Sequence, residues 1–167
     1  MNYEIVFESE RILFVKVSEK LVNEYLKMIN DAEVQKNIGK KRGKYTYYQE
    51  LDWVRKNLKE NTLVFSMIDK NTQEFIGNIS INKIENNIGE LGIVITPLKQ
   101  NLHFGQEAIN ALLKYSYDIL KLDGMDLKVF NFNKRGIHCY KKLGFVKTDI
   151  NPLPDEIHME IRKWITK

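Results

Sequence analysis

Two stretches of this sequence carry residue types and spacings that could do chemistry. The first is NKRGIHCYKKLGF (Asn133–Phe145), in which Tyr140 follows Asn133 by seven residues. On a helix that spacing is two turns, so the amide and the phenol lie close to one face. Gly136 permits close approach to that face. A phenol of ordinary pKa about 10 can protonate a leaving group of similar basicity, such as a thiolate. The alternative is a tyrosine packed on the core with its hydroxyl wet. Cys139, beside it, has no paired base in the sequence and is expected to be a structural helix residue.

The second stretch is TPLKQNLHFGQEAI (Thr96–Ile109). A strand ends near Pro97, a polar loop follows, and an amphipathic helix opens at about Gly105. A helix N-terminus leaves about four N–H groups unpaired and carries roughly half a positive charge. Such an end binds phosphate readily, and Lys99 would add a full charge. A plain strand-to-helix connection with solvated polar residues fits the same pattern.

The elements that must position these stretches follow from periodicity. Arg11–Val17 alternates as a strand. Ser18 can cap a helix running to about Ile29, with Leu21, Val22, Tyr25, Leu26 and Ile29 on one stripe. Asp31 can cap a short helix carrying Val34 and Ile38. A basic loop, GKKRGK (Gly39–Lys44), comes next. Thr46 with Gln49 makes a capping box for a helix bearing Leu51, Val54 and Leu58. The period then shortens. Leu63–Ile68, Glu74–Ile84 and Ile88–Thr96 read as three strands joined by short turns, an antiparallel meander. A helix over about Gly105–Leu120, a strand over Asp126–Phe130, and a helix over Asn133–Leu143 stopped by Gly144 follow. FVKTDI and EIHMEIRKW close the chain as strands. The order predicts an α+β fold with a mixed, mostly antiparallel central sheet and flanking helices.

Bulk properties bound the function. The chain has 167 residues, which predicts a single domain over 1–167. Net charge is +4, too weak to argue for nucleic acid but suited to holding a small polyanion. There is one cysteine, hence no internal disulfide. With no signal-peptide pattern and no run approaching a membrane span, a cytoplasmic protein is expected. No Walker A or G-x-G-x-x-G loop is present. His103, His138 and His158 form no metal-ligand spacing, so no metal site is expected.

NKRGIHCYKKLGF resembles the N-x-x-[AG]-x-x-x-Y-x-K-x-G-F element of the GNAT N-acetyltransferase superfamily. GELGIVITPLKQNLHFGQEAI resembles that family's acetyl-CoA loop, E-x-G-x-x-[IV]-x-P-x-x-[QR]-G-x-[GA]-x-G-x-E-A, with Gln100, Gly105, Glu107 and Ala108 in place. MINDAEVQKNIG and FSMIDKNTQEFIGNISI are similar to segments of the subgroup of ribosomal-protein and spermidine-type acetyltransferases. The likeness covers about Arg11–Asp149. Two positions depart from it. Asn101 and His103 stand where the family has glycines, which let backbone N–H groups face the coenzyme A pyrophosphate. Asparagine tolerates a left-handed conformation, and histidine is the costlier substitute.

The resemblance implies direct acetyl transfer from acetyl-CoA, as co-substrate, to a primary amine on a small molecule or a protein N-terminus. It implies a cofactor-binding set of Ile93, Val94, Ile95, Lys99, Gln100, Asn101, Leu102, His103, Phe104, Gly105, Gln106, Asn133 and Tyr140. Tyr140 would protonate the departing thiolate. Glu90 matches a position where many members place a base, although a solvated strand-end carboxylate fits it as well. Lys40, Lys41, Arg42 and Lys44 read first as a solvated loop; if they do face the acceptor pocket, they would repel a polycation and tolerate an acceptor bearing carboxylate or phosphate, or a protein N-terminus near acidic residues. A homodimer is kept open as the assembly. The alternative reading is an acyl-CoA-binding module that kept the fold and is catalytically weak.

Overall fold

The computed structural model describes residues 2–39, 43–150 and 153–163. The elements in order are β1 (Ile5–Glu8), β2 (Ile12–Lys16), a 3-10 turn (Glu19–Leu21), α1 (Val22–Ile29), α2 (Ala32–Ile38), α3 (Tyr47–Glu60), β3 (Val64–Asp69), β4 (Phe75–Glu85) and β5 (Ile88–Ile95). A second 3-10 turn (Pro97–Lys99) leads to α4 (Phe104–Asp118), β6 (Gly124–Phe130), α5 (Lys134–Lys142), β7 (Val146–Lys147) and β8 (Glu156–Arg162). The eight strands are ordered β1-β2-β3-β4-β5-β6-β8-β7. β5 and β6 run parallel, while the β1·β2, β2·β3, β3·β4, β6·β8 and β7·β8 pairs are antiparallel. This is the mixed α+β sheet that the element order predicts.

The chain divides into two compact units. One comprises Met1–Ser80 and Ile93–Gly105, the other Ile81–Gly92 and Gln106–Lys167. In the first, Val15, Val17, Leu21, Val22, Tyr25, Met28, Val34, Val54, Ile68 and Phe75 form a buried cluster. Tyr25 brings a hydroxyl into that cluster, and it must be satisfied there. Its oxygen lies 2.6 Å from Ser66 Oγ and accepts the Ser18 N–H at 3.1 Å. The capping box on α3 is present, with Thr46 and Gln49 each bonding the other's backbone N–H. Asn30, at the end of α1, clamps Tyr45 by two bonds, Tyr45 N–H to Oδ1 at 2.7 Å and Nδ2 to Tyr45 O at 3.0 Å.

Gly77 explains a close approach within this unit. A Cβ there would lie 2.0 Å from the Val94 carbonyl oxygen, so any side chain would force the backbones apart. The β3·β4 register slips beside it, between Met67 and Ile68. That is the signature of a bulge, which bends the strand locally.

In the second unit Ala108, Ile109, Leu112 and Leu113 of α4, and Met125, Leu127 and Val129 of β6, are buried. Their spacing is helical in the first case and alternate in the second.

Four expectations differ from what is observed. Ser18 caps the 3-10 turn, its side chain accepting the Lys20 N–H, and α1 starts only at Val22. β1 is an additional strand. FVKTDI yields just the two residues of β7, with Phe145 buried before it and Val146 64% exposed. β8 ends at Arg162, and Trp164 lies outside the described residues, as do Lys40, Lys41 and Arg42.

Candidate active site

The loop between β5 and α4 is built by bonds within the first unit. Thr96 N–H donates to Ile76 O at 2.9 Å as β5 ends. The Gln100 side chain turns back and donates from Nε2 to Ile95 O at 2.9 Å. Lys99 does not stand as a free charge. Its ammonium bonds Glu74 and lies 3.7 Å from Asp69. The Lys99 hydrogen bond holds the Glu74 carboxyl below its usual range. Burial pushes the Asp69 carboxyl up, but backbone N–H groups of Asn71 and Thr72, together with Lys99, pull it below its usual range.

Asn101 and His103 both have positive φ, 60° and 64°. These are the two positions where the resemblance leads one to expect glycine. A left-handed residue with a Cβ costs about 1–2 kcal/mol, so the loop holds this shape against local strain. Arg11 helps to hold it. Its Nη1 donates to Leu102 O at 3.1 Å, and its guanidinium carbon lies 4.3 Å from the centre of the Phe104 ring. Sequence reasoning missed Arg11, since nothing local in RILFVKV points to a loop so far along the chain. Gly105 opens α4 beyond Phe104. A Cβ there would meet nothing within 4 Å, so the protein's own packing does not demand glycine at that position.

Asn133 and Tyr140 lie in the second unit, on α5. The Asn133 side chain caps the helix by accepting the Gly136 N–H at 3.0 Å. A Cβ at Gly136 would lie 2.8 Å from Asn133 Nδ2, so a side chain there would push the capping amide aside. The Tyr140 ring is half-buried and meets Phe145 edge-on, with centroids 6.0 Å apart. Burial of its hydroxyl pushes the pKa up to about 12. Burial also raises the Cys139 thiol, partly offset by Lys142, which makes its thiolate scarce.

Glu90 lies on β5 with its side chain 21% exposed, 3.9 Å from Lys83 Nζ and in register with Asp126 on β6. Asp126 in turn bonds His158, a buried residue that sequence reasoning weighed only as a metal ligand. Among the described residues no three His, Cys, Asp or Glu side chains form a metal-binding group. No helix among them is long and apolar enough to cross a membrane. Lys44 is exposed.

The acetyltransferase (GNAT) domain family model matches residues 11–146. Over 88 residues the chain is 34% identical to the spermidine N(1)-acetyltransferase of Vibrio cholerae, a match covering 53% of this chain and 50% of that protein. The matched segment therefore spans half the length of that curated relative. Among solved structures, a GNAT-family acetyltransferase from Bacillus anthracis superimposes with a TM-score of 0.81 at 23% identity, covering 93% of this chain and 96% of that one. The spermidine N-acetyltransferase of Vibrio cholerae, in complex with CoA and spermine, superimposes with a TM-score of 0.78 at 22% identity, covering 91% and 95%.

Proposed function

Because this chain belongs to the GNAT acetyltransferase domain family, whose co-substrate is acetyl-CoA, we propose that it transfers the acetyl group of acetyl-CoA to a primary amine by direct attack. The neutral amine nitrogen adds to the thioester carbonyl. The backbone amides of Val94 and Ile95 polarise that oxygen as negative charge develops on it. Glu90 removes the proton from the attacking nitrogen, directly or through water. The carbon–sulfur bond breaks, and Tyr140 protonates the departing coenzyme A thiolate. Asn133 Nδ2 holds the pantetheine arm, while Oδ1 stays committed to the helix cap. The loop from Gln100 to Gln106 cradles the pyrophosphate at the start of α4. Lys99, neutralised by Glu74 and Asp69, serves by fixing the loop's first turn.

The observation that supports this reading best is the paired left-handed conformation of Asn101 and His103. The loop keeps the backbone shape that glycines would supply, although the glycines are gone. The open face of Gly105 supports it too, since glycine where packing does not require it leaves room for a ligand. A polyamine heads the list of acceptors because the curated Vibrio cholerae relative is a spermidine N(1)-acetyltransferase. The exposed charge of Lys44 argues for testing acidic amines and N-terminal peptides beside it.

Calorimetric titration with acetyl-CoA tests the binding half, and thiol release over an amine panel tests the chemistry. Micromolar binding is expected, about −8 kcal/mol, with turnover on at least one primary amine. Absence of heat at millimolar acetyl-CoA would sink the reading. Binding without turnover on any amine would leave the acyl-CoA-binding module in its place.

A further inference from the structure

Glu90, Asp126 and Glu160 stand in register on β5, β6 and β8. In-register residues of paired strands project from the same face about 5 Å apart, so three carboxylates form one row across the sheet. Each has a basic partner. Lys83 Nζ lies 3.9 Å from Glu90, His158 Nε2 3.0 Å from Asp126, and Arg162 Nη2 2.8 Å from Glu160. Lysine and arginine keep their charge at working pH, whereas histidine is the residue type that changes charge near neutrality. With His158 neutral, the row holds three negative charges against two positive ones. It is one proton short of balance.

His158 is also the one of these three bases that leads onward. Its side chain is 6% exposed. Its other ring nitrogen, Nδ1, lies 2.6 Å from Thr148 Oγ1, and that oxygen accepts the Ile150 N–H at 3.3 Å. Thr148 is half-buried and Ile150 exposed. Lys128, in register with His158, is exposed, and Glu156 lies two residues along the same face of β8. Lys147 pairs with Met159 and so projects from the opposite face. Hydrogen bonds therefore run from Asp126 through His158 to Thr148 without a break.

We propose that Asp126, His158 and Thr148 form the outlet for the proton that Glu90 takes from the amine. The inference rests on the reading of Glu90 as the base. The proton passes from Glu90 to its row neighbour Asp126 through a bridging water. Asp126 gives it to His158 Nε2 while the Nδ1 proton moves to Thr148 Oγ1, and the Thr148 hydroxyl proton leaves to solvent; the imidazole then returns to its Nδ1–H tautomer by exchange with water, one proton lost from Nε2 and one regained at Nδ1, before the next turnover. One proton goes from the amine to water, and only N–H and O–H bonds change. His158 and Thr148 touch no substrate and are positioning residues.

Thr148→Val deletes the hydroxyl while the Thr148 N–H to His158 O bond, 3.0 Å, can persist. His158→Gln removes the group that carries the proton. Both variants are compared with the parent and with Glu90→Gln on the best amine, in weak and strong buffer. Each outlet variant is expected to lose about tenfold or more in kcat, with KM for acetyl-CoA unchanged. Added imidazole, a small diffusible base, should restore much of the loss. An inactive Glu90→Gln beside outlet variants that match the parent in rate, pH profile and buffer response would overturn the outlet alone. A Glu90→Gln variant at the parent rate would overturn the base and the outlet together. Lack of acetyl-CoA binding by the parent would overturn the function itself.

Discussion

Arg11 Nη1 bonds the carbonyl of Leu102 across 91 positions of sequence, and Leu102 is the one residue between the left-handed Asn101 and His103. The guanidinium thus grips the loop between its two left-handed residues.

Arg11→Met should therefore act on the ligand more than on the fold. It keeps the aliphatic stem and loses the hydrogen bond and the contact with the Phe104 ring. Stability should fall by about 1 kcal/mol, the usual worth of one hydrogen bond. The acetyl-CoA Kd should rise about fivefold or more, because the freed loop must be ordered on binding. Thermal unfolding and calorimetry read the two separately. An unchanged Kd beside a lowered Tm would make Arg11 a strut for the fold alone.

His103→Gly sets two backbone effects against each other. Removing Cβ relieves about 1 kcal/mol or more of left-handed strain, while glycine's freedom in the unfolded chain costs about 0.5–1 kcal/mol. Tm should move by no more than about 4 °C. Coenzyme A should bind more tightly if the imidazole crowds the pyrophosphate. Weaker binding in a titration would show that the ring contributes a contact.

Tyr140→Phe separates an enzyme from a binding module. The ring still meets Phe145, so the fold and the acetyl-CoA affinity should hold. kcat should drop about a hundred- to ten-thousand-fold, the usual worth of a positioned acid. A loss in kcat with intact binding marks an interaction made in the transition state. With its phenol near 12, Tyr140 stays protonated well past the ordinary value of about 10. No alkaline loss of rate traceable to it is expected below about pH 11. A variant within about threefold of the parent, far short of the general-acid range, would assign the thiolate's proton to another donor.

Glu50, in the first turn of α3, is buried, and burial raises its carboxyl pKa. The folded protein then holds this proton more tightly than the unfolded chain does. The stability it confers is complete below the unfolded value of about 4.3 and is lost as pH rises through the folded one. Glu50→Gln, neutral throughout, should have a higher Tm than the parent at pH 7–8 and converge with it below about pH 4. A gap that stays constant across that range would show that charge burial is not its cause.

Local chemistry was legible in the sequence, and distant partnership was not. The α3 cap could be read because Thr46 and Gln49 bond each other three residues apart. The helix stop at Gly144 was equally local, and its φ of 103° is the conformation that glycine favours. β1 escaped notice because it is short, and Ile5 and Glu8 are exposed, so it lacks alternation against a core. Nothing near Lys99 announces Glu74 and Asp69, since the sheet alone brings them together. Asp126, His158 and Thr148 come from three separate segments, and their types became informative only once β8 was seen beside β6. The loop's conformation was legible through the family likeness of TPLKQNLHFGQEAI, whereas composition and spacing gave only a polar connection.

Among the described residues β8 is the last strand in chain order, yet it lies between β6 and β7. β6 is made before β8, which among the described residues is the strand that covers its far edge. Until residues 156–162 emerge, that edge presents unpaired N–H and C=O groups, a template for pairing with other chains. β7, two residues long, has no ladder to join in the meantime. β8 thus covers the β6 edge with a segment that also delivers His158. A chain stalled or cleaved before residue 156 is an aggregation hazard as well as an incomplete catalyst.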